Sequence, residues 1–475
     1  MSWVYKSANE QLAALSRGDV SAVALLEATI SHAERVEPEL NPFALTLYDR
    51  ARDAAVAADR QIAKGQGGPL CGLPITIKDS QWLAGYPCTN GSRTLQNFIP
   101  NETCLAIERL EQAGAVIFAK TTCPEFSLSG ITESELHGRT VNPWNHDRTP
   151  GGSSGGAAVA IAAGLGSLSL GGDGGGSIRI PAAFCGIVGF KPSFGVVPRA
   201  PGFTTWLSIV SYGPLARNVS DARLMFSVLG NTIDESSKNE NFQLNKITII
   251  ASENLGFAPV DLDVSAAFRK IINALDAAGV KLVIDNPGLK SSVSTWAITA
   301  AYDMWKHKKS TSFEPNEISQ RTRDFIEFGG TFNQTDFDDA QQHRSAIHDA
   351  YMVLFENTGA SIIITPTLGC EAFAHGTTHP IRIGDTKIEY PWLDWAGFLY
   401  DANLTGMPAC AIPMGIGDEG LPLSLHIMGP PGHDMEVLYV AQKIEELINW
   451  QNPQFYEEPA NSLQADKDEI HVVAM

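Results

Sequence analysis

The sequence is short of three things. Basic residues are few: 34 Lys and Arg stand against 53 Asp and Glu, a formal charge of −19 at pH 7. A nucleic-acid binder needs an excess of cations facing the phosphates, and a protein that clings to anionic lipid needs the same, so neither nucleic acid nor membrane is an expected partner. Cysteine is scarce: Cys71, Cys88, Cys104, Cys123, Cys185, Cys370 and Cys410 make seven, and no two are spaced Cys-x-x-Cys. An odd count without that spacing speaks against a disulfide framework or a zinc knuckle and makes a reducing, cytoplasmic setting the expectation. Long hydrophobic runs are missing too. The 24 uncharged residues between Arg148 and Asp173 are enough to span a bilayer, but they are crowded with Gly, Ser and Ala. They read as protein interior. Residues Met1 to Lys6 show no basic segment followed by an apolar stretch, so no secretory signal is expected.

What is present suffices for a large core: 475 residues, of which 44% are apolar and 18% charged. Length alone suggests about three domains of roughly 150 residues each. Residues 8–64 read as helices, with Ser21 placed to cap one of them. Strands are expected at 74–78, 115–119, 167–170, 246–251, 362–364 and 421–428, and helices at 103–113, 153–163, 264–278 and 433–447. Residues 290–358 read as mostly helical. The stretch 196–214 reads as irregular loop with the exposed-type aromatics Phe203, Trp206 and Tyr212, and 231–245 as a polar linker. Helix, glycine and strand in alternation point to an α/β fold.

Glycine is unevenly placed: 13 of the 43 lie between Gly151 and Gly189. Three familiar motifs fail there. The Walker loop requires Lys-Ser/Thr after its last glycine, but Ala157 and Ala158 follow Gly156. The dinucleotide fingerprint fails because Ser169 stands where its third glycine belongs. Gly152-Ser-Ser154-Gly-Gly156 matches a nucleophile elbow, yet the preceding Pro143–Pro150 is no strand. No lysine has serine three residues before it, and His375 and His379 sit in a Gly- and Pro-containing stretch unsuited to a metal-binding helix. No metal and no cofactor is therefore expected. Gly174-Gly-Gly-Ser177 remains. Its successive N–H groups, free of side chains, suit a developing oxyanion, and its serine suits a nucleophile. Tight packing of strand on helix would account for the same glycines.

These residues resemble the amidase signature family. The likeness rests on Gly151-Gly-Ser-Ser-Gly-Gly-Ala-Ala158, on Gly171-Gly-Asp-Gly-Gly-Gly-Ser-Ile-Arg-Ile-Pro181 with its continuation to Gly186, and on Gly189-Phe-Lys-Pro-Ser193. It extends to Gly72-Leu-Pro-Ile-Thr-Ile-Lys-Asp79, Gly114–Thr121, Asn142-Pro-Trp144, Gly213–Arg217, Thr365-Pro-Thr367 and Asn403–Pro408. The resemblance implies one continuous domain over 1–475: N-terminal helices (1–70), a signature core (71–220), an inserted helical segment (about 285–360), a C-terminal core (361–450) and an acidic tail (451–475). A large, mixed, twisted β-sheet covered by helices on both faces is implied with it. Gly172, Ser193, Ser424 and His426 depart from the common pattern.

By the same resemblance Lys78, Ser153 and Ser177 form a catalytic triad. Ser177 is the nucleophile, and Ser153, preceded by a cis peptide, bridges it to Lys78. The oxyanion falls to the N–H groups of Gly174, Gly175, Gly176 and Ser177. Ser154, Asp79, Asp173 and Arg179 support the site, the last in a buried ion pair, while Ser127, Ser129, Phe203 and Trp206 are substrate-binding candidates. Trp305, Trp392, Trp395 and Tyr400 are candidates for further aromatic surface. The implied reaction is hydrolysis of neutral C–N amide bonds, aryl or alkyl, including anilides, with carbamates (urethanes) and esters as related substrates. The expected partner is the small-molecule substrate, on a monomer or homodimer. The rival is the glutaminase component of a tRNA-dependent amidotransferase.

Overall fold

Short β-branched or glycine-bounded runs supply the strands, and amphipathic segments between them supply the covering helices. The computed structural model describes residues 3–232, 242–310, 317–388 and 394–456. Trp392, most of the 231–245 linker and the tail beyond 456 lie outside the described residues. One mixed sheet of eleven strands runs through the molecule. In chain order its strands are β1 (Phe43–Thr46), β2 (Pro74–Lys78), β3 (Val116–Thr121), β4 (Leu168–Asp173), β5 (Val188–Lys191) and β6 (Ser211–Ala216). Then follow β7 (Thr248–Ala251), β8 (Lys281–Ile284), β9 (Ile362–Pro366), β10 (Ala409–Ile416) and β11 (Pro422–Met428). Their order across the sheet is β1-β3-β2-β4-β6-β5-β10-β11-β9-β7-β8.

The sheet is buried on both faces where it matters. In β9, Ile362 and Ile364 join one apolar cluster and Ile363 the other; in β7, Ile249 and Ala251 face one and Ile250 the other. A period of two deals successive side chains to opposite faces, which is why these strands read as unbroken apolar runs. The helix α1 (Gly155–Ala162) is buried at every residue, so the long uncharged stretch is indeed interior. Among the described residues no helix is long and apolar enough to cross a membrane. A short helix, α2 (Arg179–Cys185), follows the second glycine turn. The region 290–358 forms three helices, α3 (Val293–Ser310), α4 (Gln320–Gly330) and α5 (Gln334–Thr358).

Most expected elements form within a few residues of their expected bounds; Ser21 caps its helix by accepting the Ala24 N–H. The differences have physical reasons. Strand β1 interrupts the N-terminal helices, pairing antiparallel with β3. The end of the supposed loop 196–214 is the central strand β6, hidden in the sequence by Gly213-Pro214. Glycine is required there because a Cβ on Gly213 would stand 2.1 Å from the Phe190 carbonyl oxygen. Trp206 and Tyr212 are not exposed; each keeps 8% of its surface. Trp206 is drawn in against α3, where its indole N–H donates to the Ala300 carbonyl (3.0 Å).

Candidate active site

Strands β2, β3 and β4 are parallel neighbours, so their C-terminal ends open on one side. Crevices beyond such ends are the usual ligand sites of α/β sheets. Lys78 closes β2, and Asp173 closes β4. The turn entering α1 carries Ser153 and Ser154, and the turn between β4 and α2 carries Ser177. The two turns are tied together: the Ser154 N–H donates to the Ser177 carbonyl (3.1 Å), and the Ser154 hydroxyl donates to the Gly172 carbonyl (3.2 Å). The Gly152–Ser153 peptide is cis.

Lys78 is 1% exposed and its Nζ donates to Ser153 Oγ at 2.6 Å. Burial brings its ammonium down to about 8, although Cys123 and Asp173 nearby favour the charged form. Ser177 lines the same cavity as Lys78 and Ser153. No hydrogen bond joins Ser153 to Ser177 among the described residues. Contacts of this kind commonly tighten only around substrate.

The Asp173 carboxylate organises the second turn. It accepts the N–H groups of Gly176 (2.8 Å) and Ile178 (3.1 Å) and pairs with Arg179, both partners fully buried. Burial opposes its charge, but Arg179, Lys191 and Asn403 outweigh that and hold the carboxyl well below its ordinary range. Arg179 also donates to Asn403 (2.7 Å) and to the Leu399 carbonyl (3.1 Å), and reaches His426 Nε2 at 3.0 Å. The Gly176 amide, expected in the oxyanion hole, is thus spent on Asp173. The N–H groups of Gly174, Gly175 and Ser177 have no acceptor among the described residues. Gly176 has φ +107°, a conformation that favours glycine, and a Cβ there would stand 2.5 Å from Leu399.

A stability prediction follows. Asp173→Ala leaves Arg179 buried without its anion and should cost about 3–5 kcal/mol, read as a lower urea midpoint at unchanged slope. The carboxyl sits below its unfolded value of 3.8, so its contribution is complete above that pH and lost as pH falls through the folded value. Asp173→Asn should therefore flatten the acid limb of the stability curve.

Two cavities meet at Ser177. The first is lined by Trp206, Trp296, Phe325, Trp395 and Tyr400 together with Ser127, Ser129 and Arg321. The second is lined by Lys78, Ser153, Asn90, Arg199, Phe203 and Tyr212 among others. Ser127, Ser129, Phe203 and Trp206 each line one or both of these cavities, with Ser127 donating to Asn90 (2.9 Å) and Phe203 packed on Trp82 and Phe98. Asp79 is not among the lining residues of either cavity, although its neighbours Lys78 and Ser80 line the second. It pairs with buried Lys120 at 3.1 Å and accepts from Thr89, fixing the chain just beyond Lys78. Trp305 stacks on Tyr302 and is not among the lining residues of these two cavities. Sequence reasoning missed Trp296, Phe325, Arg199 and Arg321. The Trp296 indole N–H donates to the Gly174 carbonyl at 2.7 Å, and a Cβ on Gly175 would come within 2.6 Å of that ring. Trp296 lies 122 residues from Gly174, and nothing local in α3 signals the contact. Among the described residues no cluster of His, Cys, Asp and Glu could hold a metal ion.

A buried lysine hydrogen-bonded to one serine, in a cavity that a second serine also lines, on a mixed α/β sheet, is an arrangement suited to a hydrolase. The particular family follows from comparison: the amidase family model matches residues 24–438, so the chain belongs to the amidase family, hydrolases of amide C–N bonds. It is 32% identical to a glutamyl-tRNA(Gln) amidotransferase component of Synechococcus sp., over 91% of this chain and 94% of that one. It is 30% identical to the acylamidase of Rhodococcus erythropolis, over 96% and 98%. Among solved structures, a bacterial aryl acylamidase of the amidase signature family superposes with a TM-score of 0.86 at 26% identity, covering 93% of this chain and 96% of that one.

Proposed function

We propose that this protein is a stand-alone amidase that cleaves aryl or alkyl amides, anilides among them, through an acyl-enzyme on Ser177. The observation that carries the reading is the buried Lys78 donating to Ser153 in the cavity that Ser177 also lines. A serine hydroxyl needs a base, and a desolvated lysine supplies one when neutral. Ser177 Oγ adds to the carbonyl carbon while its proton passes to Ser153, and the Ser153 proton passes to Lys78. The oxyanion rests on the N–H groups of Gly174, Gly175 and Ser177. Collapse returns a proton through Ser153 to the leaving nitrogen. Water, deprotonated through the same relay, then releases the acid. Carbamates and esters present the same carbonyl geometry and belong to the expected substrate range.

The glutaminase reading draws on the amidotransferase relatives. Glutamine brings a carboxylate and an ammonium into the site. Among the described residues the lining of the two cavities includes Arg199 and Arg321 but no Asp or Glu, so none of them offers the ammonium a counter-charge there. The aromatic lining of the first cavity instead favours apolar groups. Purified alone, the protein should release nitroaniline from an acyl nitroanilide and leave glutamine intact. Glutamine hydrolysis that appears only with added partner proteins would establish the rival.

A further inference from the structure

The two cavities at Ser177 are chemically unlike, and the proton relay fixes which half of the substrate enters each. The leaving nitrogen must take a proton from Ser153. Ser153 and Lys78 line the second cavity and are absent from the first. The amine side of the scissile bond therefore enters the second cavity, and the acyl side enters the aromatic one.

Each cavity contains one arginine, and the two are differently engaged. Arg321, on the acyl side, donates to Ser129 Oγ (3.1 Å) and feels the Glu133 carboxylate. Arg199, on the amine side, is half-buried and donates to the Leu207 carbonyl (3.0 Å). No carboxylate among the described residues forms an ion pair with it. Burial pulls its guanidinium below the ordinary range, with Tyr212 and Cys104 opposing. A half-desolvated guanidinium is costly to keep without an anion, and its planar fork matches a carboxylate.

Resting on the amidase reading, we propose that Arg199 recognises a carboxylate on the leaving amine, so that the preferred substrates are N-acylated amino acids or aminoarene carboxylates. Their acyl group is aryl or alkyl and occupies the pocket of Trp296, Phe325, Trp395 and Tyr400. Hydrolysis adds water across the C–N bond and yields a carboxylic acid and the amino-carboxylate.

The test compares three amides on the full-length enzyme: an N-acyl anilide, the same acyl group on 4-aminobenzoate, and an anilide with the carboxylate placed on the acyl side. The 4-aminobenzoate amide should exceed the plain anilide by about tenfold or more in kcat/KM, chiefly through KM. The acyl-side carboxylate should bring no gain. Arg199→Gln should collapse the ratio between the first two, and Arg199→Lys should keep part of it. Ring electronics act equally in all three enzymes, so the change in ratio reads the charge contact. A purely structural role, holding the Leu207 loop, would lower both rates and leave the ratio intact, which would overturn the proposal. So would a wild-type ratio near one, or a preference for the acyl-side carboxylate. Turnover of the plain anilide alone would sink this inference and spare the amidase reading. No turnover of any of the three amides would sink both.

Discussion

Ser177→Ala is expected to abolish turnover, with kcat falling by about a millionfold, as when a nucleophilic serine is removed from other serine hydrolases. Substrate binding should survive, because the cavities are built from other side chains and the turn is held by Asp173. The comparison to make is single-turnover kinetics beside ligand affinity: a burst of product in the wild type, none in the variant, and a dissociation constant little changed. Ser177 is well placed for such a clean result. Its flanking backbone is anchored by the Gly176 and Ile178 amides on Asp173 and by the Ser154 amide on its own carbonyl. Removing a hydroxyl leaves that frame intact. Full activity in the variant would mean that another residue attacks the carbonyl.

Lys78→Ala should cost about two to four orders of magnitude in kcat/KM, the usual scale for a general base. Lys78→Arg should be equally poor. Arginine keeps a cation in place but never loses its proton, so this variant separates a base from a structural charge. The wild-type pH profile carries the same claim. The ammonium titrates near 8, and the active form is the neutral amine, so kcat/KM should climb with pH and flatten above that value. A profile flat from pH 6 to 9, or an active Lys78→Arg enzyme, would remove lysine from the role of base.

The chemistry-bearing residues were legible because they are local. Composition marks the two glycine turns that carry Ser153 and Ser177, whereas Lys78 ends a β-branched run and takes its role only from the resemblance to the amidase signature family. What sets their geometry was not legible. Strand β6 hid behind Gly213-Pro214, because a proline reads as a break although the sheet accepts it beside β4 and β5. Strand β10 was missed for a similar reason: Pro413 and Gly415 interrupt it at a shift of register. The oxyanion turn reads in sequence as four equivalent amides; only the fold shows that Asp173 claims one. Likewise His426, unusual in the sequence, proves to face Arg179 across 247 residues of chain. Burial and Arg179 keep its imidazole well below its ordinary range, so it meets the guanidinium as a neutral acceptor. The aromatic pocket draws its rings from helices and from the loop before β6, and none has a local signature distinguishing lining from core. Trp206 faces both cavities, whereas Trp305 does not.

The most direct test of the central claim is covalent labelling with a fluorophosphonate, followed by peptide mapping of the adduct by mass spectrometry. The account predicts a single adduct on Ser177, formed faster as pH rises through about 8 and nearly absent in Lys78→Ala. An adduct on Ser153, Ser154 or any other residue would contradict it.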